Sequence, residues 1–534
     1  MGALFVAASL TPSLIPRSPQ IQGILAGFCF AAGYGVTTLV IALWQYLQLP
    51  RMPDRNAKLL VPLLGLVALL IMALAMVHSV SWQDELRALM DIPPTEEIAP
   101  LVVIGLGTAV AGVLLVTGKL LVAAGRYASR RIARVLPPRQ ARVLGVVLTV
   151  LVTYQLFSGV LVRTVVRSID NSAQALDNLV PADQVPPDQS WPTGSSESQI
   201  AWQDLGREGR SFIAATPTAR EISEVTGMAA MQPLRVYVGL NAAVTLEARA
   251  ELAADELERV GGFDRTTLVV AMPTGTGWMD PAAMEPLELL HHGDVATVAL
   301  QYSYLQSWIS LLVQPEEAAE AGRALFAAVH RRWQLLPEAE RPRLYLYGLS
   351  LGAHSSQQSL RLHEMLDSPI SGAFWVGPPF VSQLWQTLTA ERDPGSPAWL
   401  PRLTTGRVVR FTNGRQVLQN GAAWGDVRIV FLQYGSDPVV FFRRDSAVRQ
   451  PDWMAMPRAP DVSDELRWYP IITQLQLAFD MAIGLEVPIG HGHLYAHVDH
   501  IDPWLAVTEP PGWTEDRLEV LRAHFRTRQS QLVE

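Results

Sequence analysis

The hydrophobic pattern divides the chain into an apolar first third and a remainder in which short apolar runs alternate with amphipathic ones. Four long apolar stretches lie at residues 21–47, 59–77, 98–123 and 143–161. Each approaches or exceeds the ~20 residues that a helix needs to cross ~30 Å of hydrocarbon. One such stretch alone would read equally well as a buried helix. Four, separated by short polar loops, predict a membrane domain of about four spanning helices over residues 1–170. The opening segment MGALFVAASLTPSLIPRS is apolar but short, and Pro12 and Pro16 interrupt it. No basic residue precedes its apolar run, so it does not read as a signal peptide. It predicts a re-entrant or interfacial piece, with a fifth crossing as the alternative.

Loop charges set an expected orientation. Residues 48–58 carry Arg51, Arg55 and Lys58 against Asp54. The loop after the third stretch carries Arg126, Arg130, Arg131, Arg134, Arg139 and Arg142 with no acid. Between the second and third stretches, Asp84, Glu85, Asp91, Glu96 and Glu97 face a single Arg87. The positive-inside rule then makes the basic loops cytoplasmic and the acidic loop external. The chain would leave the fourth helix on the outer side, although Arg163 and Arg167 just beyond it run against this assignment.

Residues 171–200 are rich in Pro, Ser, Asp and Gln and read as a linker. From about residue 201 to 534 the pattern becomes strand, helix, strand: PLRVYVGL, an amphipathic stretch at 245–259 closed by Gly261 and Gly262, then TTLVVAMP. That repetition predicts a mostly parallel sheet flanked by helices.

Composition narrows the function. Apolar residues make up 49% and charged residues 17%, a low charge content that supports the membrane reading. The net charge of -8 carries no basic excess, which argues against nucleic acid as a partner. The single cysteine, Cys29, excludes an intrachain disulfide and reads as a small buried side chain. Fifteen tryptophans suit membrane interfaces or apolar pockets. The helices lack a chain of acids of the kind a proton-coupled transporter carries.

Candidate chemistry starts at YGLSLGAHS, where an apolar strand runs directly into Gly348-Leu349-Ser350-Leu351-Gly352. A tight strand-turn-helix strains the serine, and glycines two before and two after relieve the crowding. Ser350 is therefore the expected nucleophile, followed by a helix over 351–365. An acid should follow a later strand: Asp437 sits after VRIVFLQY in a turn set by Gly435 and Pro438. The base should come last. GHGHLYAHVDH offers His491, His493, His497 and His500, with His493 preferred and His491 the alternative. In an extended segment residues two apart share a face, so alternation does not separate this pair. The histidines with Asp499 and Asp502 match no established zinc spacing, so no metal and no cofactor are expected. Oxyanion donors are expected from the Leu351 N–H and from the loop PTGTGWMD, through Thr276, Gly277 or Trp278. That loop lacks the Lys-Ser/Thr ending of a nucleotide site. His291, His292, Asp294, Tyr302, Tyr304, Ser307 and Trp308, with the segment from Trp375 to Trp385, either shape a pocket or pack the domain.

Several of these segments carry a family resemblance: SLTPSLIPR, LGREGRSF, PTGTGWMD, QYSYLQSW, YGLSLGAHS and GHGHLYAH. The chain resembles the membrane-anchored bacterial alpha/beta-hydrolase family with an N-terminal transmembrane domain, over nearly its whole length. The resemblance implies an alpha/beta-hydrolase fold after the membrane domain, a multi-pass location in the bacterial inner membrane, and a Ser350, Asp437, histidine triad. The expected activity is ester hydrolysis through an acyl-enzyme on a lipid or other apolar ester. Acyl transfer with the same triad, and a non-enzymatic membrane scaffold or transporter, are the alternatives. Membrane lipids are expected partners, and Gly27, Gly33 and Gly35 offer a packing hint for self-association.

Overall fold

The computed structural model describes residues 1–50, 53–94, 99–154, 177, 185–305, 309–311, 315–414, 418 and 421–533. The end of the fourth apolar stretch, Arg51, Glu96, Glu97, Arg163, Arg167, most of residues 171–184, Ser307 and Trp308 lie outside these described residues. The chain forms two compact units. The first comprises Met1–Ile169, Phe442–Met454 and Val462–Ile483; the second comprises Asp170–Phe441, Ala455–Asp461 and Gly484–Glu534.

Among the described residues of the first unit, three helices are long and apolar enough to cross a membrane: Pro19–Tyr46, Arg55–Leu89 and Pro100–Ile132. They fit a transmembrane domain. Leu59, Val61, Leu64 and Leu101 are largely exposed, which suits lipid rather than water. The helices outrun the apolar stretches. Asp54–Leu89 has 36 residues, or ~54 Å at 1.5 Å per residue, so Asp84, Glu85 and Arg87 extend past any hydrocarbon core. The fourth apolar stretch begins in the helix Pro138–Tyr154. The opening segment forms the helix Gly2–Ser9, whose eight residues are too short to span.

Two of the small residues serve contacts within the chain. A side chain on Gly27 would collide with Val110 and the Gly107 carbonyl of the helix Pro100–Ile132, and one on Gly33 with Phe5 and Gly2. Cys29 is buried with Leu25 and Ile472. Ile472 opens the helix Ile472–Ala482, which joins this unit from far along the chain.

The second unit is built on a seven-stranded sheet in the order β1-β3-β2-β4-β5-β7-β6. The strands are β1 Leu234–Val238, β2 Thr267–Met272, β3 Val295–Leu300, β4 Arg343–Leu349, β5 Gly372–Val376, β6 Val409–Thr412 and β7 Arg428–Leu432. Every pairing is parallel. Sequences such as TLVVAM and VATVAL are buried along their whole length because helices cover both faces. The predicted helix at 245–259 forms as Leu246–Arg259, capped by the Thr245 side chain. Register places Met272 beside Gly348, Leu349 beside Val376, and Val376 beside Leu432. The carboxyl ends of β2, β4, β5 and β7 therefore form one row, where open α/β sheets place their sites.

One expected element is broken. The helix after Ser350 runs only Leu351–Gln357, and a second helix, Leu362–Asp367, follows. The Ser355 hydroxyl donates to the Ala318 carbonyl, and the Ser356 hydroxyl accepts from Trp375 Nε1. The Ser359 hydroxyl bonds back to the Ser355 carbonyl. Serines bonded in these ways are weak helix propagators.

Candidate active site

Ser350 sits at the junction of β4 and the helix Leu351–Gln357 with φ 57° and ψ -126°. A non-glycine residue held there stores roughly 1–3 kcal/mol of strain. The surrounding contacts impose it. The Ser350 N–H donates to the Val376 carbonyl at 2.9 Å. The glycines on either side are sterically required: a Cβ on Gly348 would lie 2.3 Å from the Gly352 carbonyl oxygen, and one on Gly352 would lie 2.1 Å from the Met272 carbonyl oxygen. The Gly352 contact also presses the serine turn against the start of the loop after β2. Gly352→Ala is expected to force these two backbones apart and lower stability by about 1–3 kcal/mol. A melting temperature equal to the parent's would contradict this close packing.

Asp437 lies in the turn after β7 and is fully buried. Its Oδ1 accepts from the N–H groups of Val439 (2.8 Å) and Val440 (3.3 Å). Its Oδ2 accepts from His493 Nδ1 at 2.7 Å and from the Tyr495 hydroxyl at 2.6 Å. A carboxylate with four donors on it is a fixed acceptor. It holds the proton of His493 on Nδ1 and leaves Nε2 as a lone-pair acceptor. That Nε2 is buried and bonds to nothing among the described residues. The His493 ring rests against Gly377, where a Cβ would come 2.9 Å from its Cε1. Gly377 directly follows Val376, the residue that anchors the Ser350 backbone. The end of β5 thus brings the serine turn and the imidazole to one place.

The structure brings His493 to Asp437. The alternation argument does not apply, because the segment is a turn rather than an extended strand. Gly490 and Gly492 have φ of 99° and 55°, and the Gly492 N–H donates to the Ser436 hydroxyl. Tyr495 is a site residue that sequence reasoning missed. It stacks on Tyr434 with ring centroids 4.4 Å apart and donates to the same carboxylate oxygen as His493. The motif GHGHLYAH contains it, but nothing in its spacing marks a tyrosine as a partner of Asp437.

The loop after β2 is a closed turn. The Gly277 N–H donates to the Thr274 carbonyl at 2.9 Å, and the Thr274 N–H donates to the Trp278 carbonyl at 3.1 Å. Gly277 is therefore engaged internally, a correction to its place among the expected donors. The amides of Thr276, Trp278 and Leu351 donate to no protein acceptor among the described residues.

Three of the other histidines pack within the domain. His291 lies between the hydroxyls of Thr267 and Thr508, His292 stacks on Trp513, and His497 stacks on Phe525. Among the described residues no group of His, Cys, Asp and Glu is arranged to hold a metal ion. Tyr302 donates to the Pro273 carbonyl, while Trp375 and Trp385 bond to Ser356 and Gln433 in the sheet's packing layer.

Asp280, at the end of the loop, is a second buried acid that sequence reasoning did not single out. Its Oδ1 caps the helix Pro281–Leu290 through the Ala282 N–H at 2.9 Å, and its Oδ2 lies 4.0 Å from His500 Nε2. Burial, reinforced by Glu285, pushes its carboxyl up to about 7, against the opposing pull of the Ala282 N–H and of His493. The folded chain then holds this proton more tightly than the unfolded one. Its stabilising contribution is complete below the ordinary carboxyl value near ~4 and is lost as pH rises through about 7. Asp280→Asn is expected to flatten the decline in denaturation midpoint between acidic and mildly alkaline pH. Parallel parent and variant curves would contradict that.

Residues 234–521 match the sequence pattern described as the Alpha/beta-hydrolase family, and residues 10–217 match that of the Alpha/beta-hydrolase family N-terminus. A comparison with curated proteins returns no match. One solved structure aligns, from work titled as describing LipS and LipT, two metagenome-derived lipolytic enzymes. It shares 13% identity over 32% of this chain and 86% of its own, with a TM-score of 0.17.

Proposed function

Because the chain belongs to the alpha/beta-hydrolase family, a membership that supports hydrolase activity, we propose that it is a serine esterase of lipase type acting on a lipid or other membrane-associated ester. The observation that carries this reading is His493, tied through Nδ1 to a four-donor Asp437 with Nε2 left open beside the Ser350 turn. In the proposed mechanism Nε2 takes the Ser350 hydroxyl proton as Oγ attacks the ester carbonyl. The Leu351 N–H and one amide of the PTGTGWMD loop, from Thr276 or Trp278, receive the oxyanion. His493 returns the proton to the leaving alkoxide, and the acyl group stays on Oγ. Water, activated by the same imidazole, then releases the acid and restores Ser350.

The full chain in neutral detergent, given p-nitrophenyl esters of increasing acyl length, tests the proposal. A burst of nitrophenol equal to the enzyme concentration, followed by slower turnover, is the expected result. No release from any ester would oppose it. Membrane attachment supports an apolar acyl group, and the charge pattern of the loops supports an external second unit. A phosphatase reporter that matures only outside the cytoplasm, fused after Glu534, is expected to be active; an inactive, expressed fusion would reverse that orientation.

A further inference from the structure

The first unit contains a cavity of ≈ 210 Å³ that the proposed reaction does not use. Its lining is partly polar, with Arg17, Gln22, Gln83 and Arg87, and partly apolar, with Met76, Val80 and Val103. Its volume falls below the roughly 300 Å³ at which pockets enclose a whole small ligand, so it suits one end of a longer molecule. Among the described residues the lining brings two guanidiniums and no carboxylate.

Arg17, from the SLTPSLIPR segment, is the unusual group. It is 6% exposed. Its Nη2 donates to the carbonyls of Ser9 (3.4 Å) and Thr11 (3.3 Å), but Nε and Nη1 make no hydrogen bond. Its counter-ion is Asp480, 3.8 Å from Nη1 and beyond hydrogen-bonding length. The Asp480 oxygens are engaged by the Ser13 hydroxyl at 2.9 Å and the Leu14 N–H at 3.0 Å. The charge is thus balanced at a distance while two guanidinium donors are left unused, a costly arrangement for a buried group. Gln22 has the complementary need. Its Nε2 donates to the Ser9 carbonyl at 3.3 Å, which sets the amide orientation, and its Oε1 accepts nothing.

The surrounding helices add to the positive potential. Pro19 and Pro100, both lining the cavity, are the first residues of helices of 28 and 33 residues. The positive ends of two long dipoles therefore meet there. The helix Asp54–Leu89 contributes its opposite end, which Arg87 in its last turn offsets. These features lie at the ends of the spanning helices, where headgroups meet protein.

We propose that this cavity binds the anionic, hydroxyl-bearing headgroup of a membrane lipid. Arg17, through Nε and Nη1, and Arg87 hold the anionic oxygens. Gln22 Oε1 accepts from the headgroup hydroxyl, and Met76, Val80 and Val103 take the first methylenes. This assignment is independent of the esterase reading.

Native mass spectrometry of the full chain released from neutral maltoside micelles provides the test. Phosphatidylglycerol and phosphatidylcholine of identical acyl chains are the probes, with glycerol 3-phosphate and inorganic phosphate as soluble competitors. Phosphatidylglycerol should be retained at one per chain, at least about 10-fold over phosphatidylcholine, and glycerol 3-phosphate should displace it. Arg87→Gln should lower retention about 10-fold, and Ser79→Phe, which fills the cavity, should abolish it. Arg17 is left intact, because its loss would strand Asp480 and risk the fold. Both variants must keep the parent melting temperature; if one does not, the other carries the test. Equal retention of the two lipids, or unchanged retention in the folded variants, would overturn the proposal. Inorganic phosphate binding without lipid selectivity would overturn the lipid assignment and leave a site for the free anion.

Discussion

Ser350→Ala is expected to eliminate ester turnover, lowering kcat on the order of 10⁴–10⁶-fold, while the melting temperature stays close to the parent's. The fold should tolerate the change because the strain at φ 57° comes from bearing a Cβ, and alanine keeps that atom. The Ser350 N–H bond to Val376 is a backbone contact and persists. Only Oγ is lost, so a large activity loss in a stable protein isolates the nucleophile from the architecture around it. A variant that retained more than about one hundredth of the parent rate would place the chemistry on another residue.

The second large effect separates the two histidines. His493→Ala is expected to lower kcat on the order of 10⁴-fold or more, and His491→Ala by less than about 10-fold. His493 is oriented by a carboxylate: Asp437 Oδ2 holds its Nδ1 proton at 2.7 Å and dictates that Nε2 is the basic nitrogen. Asp437→Asn should follow His493→Ala to within a small factor, since without the acceptor the imidazole loses both its tautomer and its angle. Comparable losses from both histidine changes in folded protein would show that neither acts alone as the base.

Local patterns in the chain foretold much of the fold. The strained turn at Ser350 was legible because steric crowding there restricts positions 348 and 352 to glycine, and that restriction is written as Gly-x-Ser-x-Gly. The parallel sheet was legible because strands buried on both faces need continuous apolar runs. The spanning helices were legible because hydrocarbon thickness demands a minimum apolar length. The features that were not legible depend on distant partners. Nothing near Ser359 announces that the preceding serines bond to Ala318 and Trp375 and so end a helix early. Tyr495 reads as an ordinary aromatic until Asp437, 58 residues away, meets its hydroxyl. Asp280 passes without any mark in the sequence, and its burial becomes apparent only with the layers around it in place. The helix Ile472–Ala482 follows the strands of the second unit in sequence yet belongs to the first, because Asp480 answers Arg17 and Ile472 packs on Cys29.

Whether Ser350 is an activated nucleophile served by His493 is tested most directly by labelling the intact protein with a fluorophosphonate. The parent, Ser350→Ala, His493→Ala and His491→Ala proteins would be treated side by side, and the modified peptide identified by mass. The expected result is stoichiometric phosphonylation of Ser350 in the parent, none in Ser350→Ala, severely slowed labelling in His493→Ala, and near-parental labelling in His491→Ala. A folded parent that stays unlabelled, or label found on another residue, would contradict it.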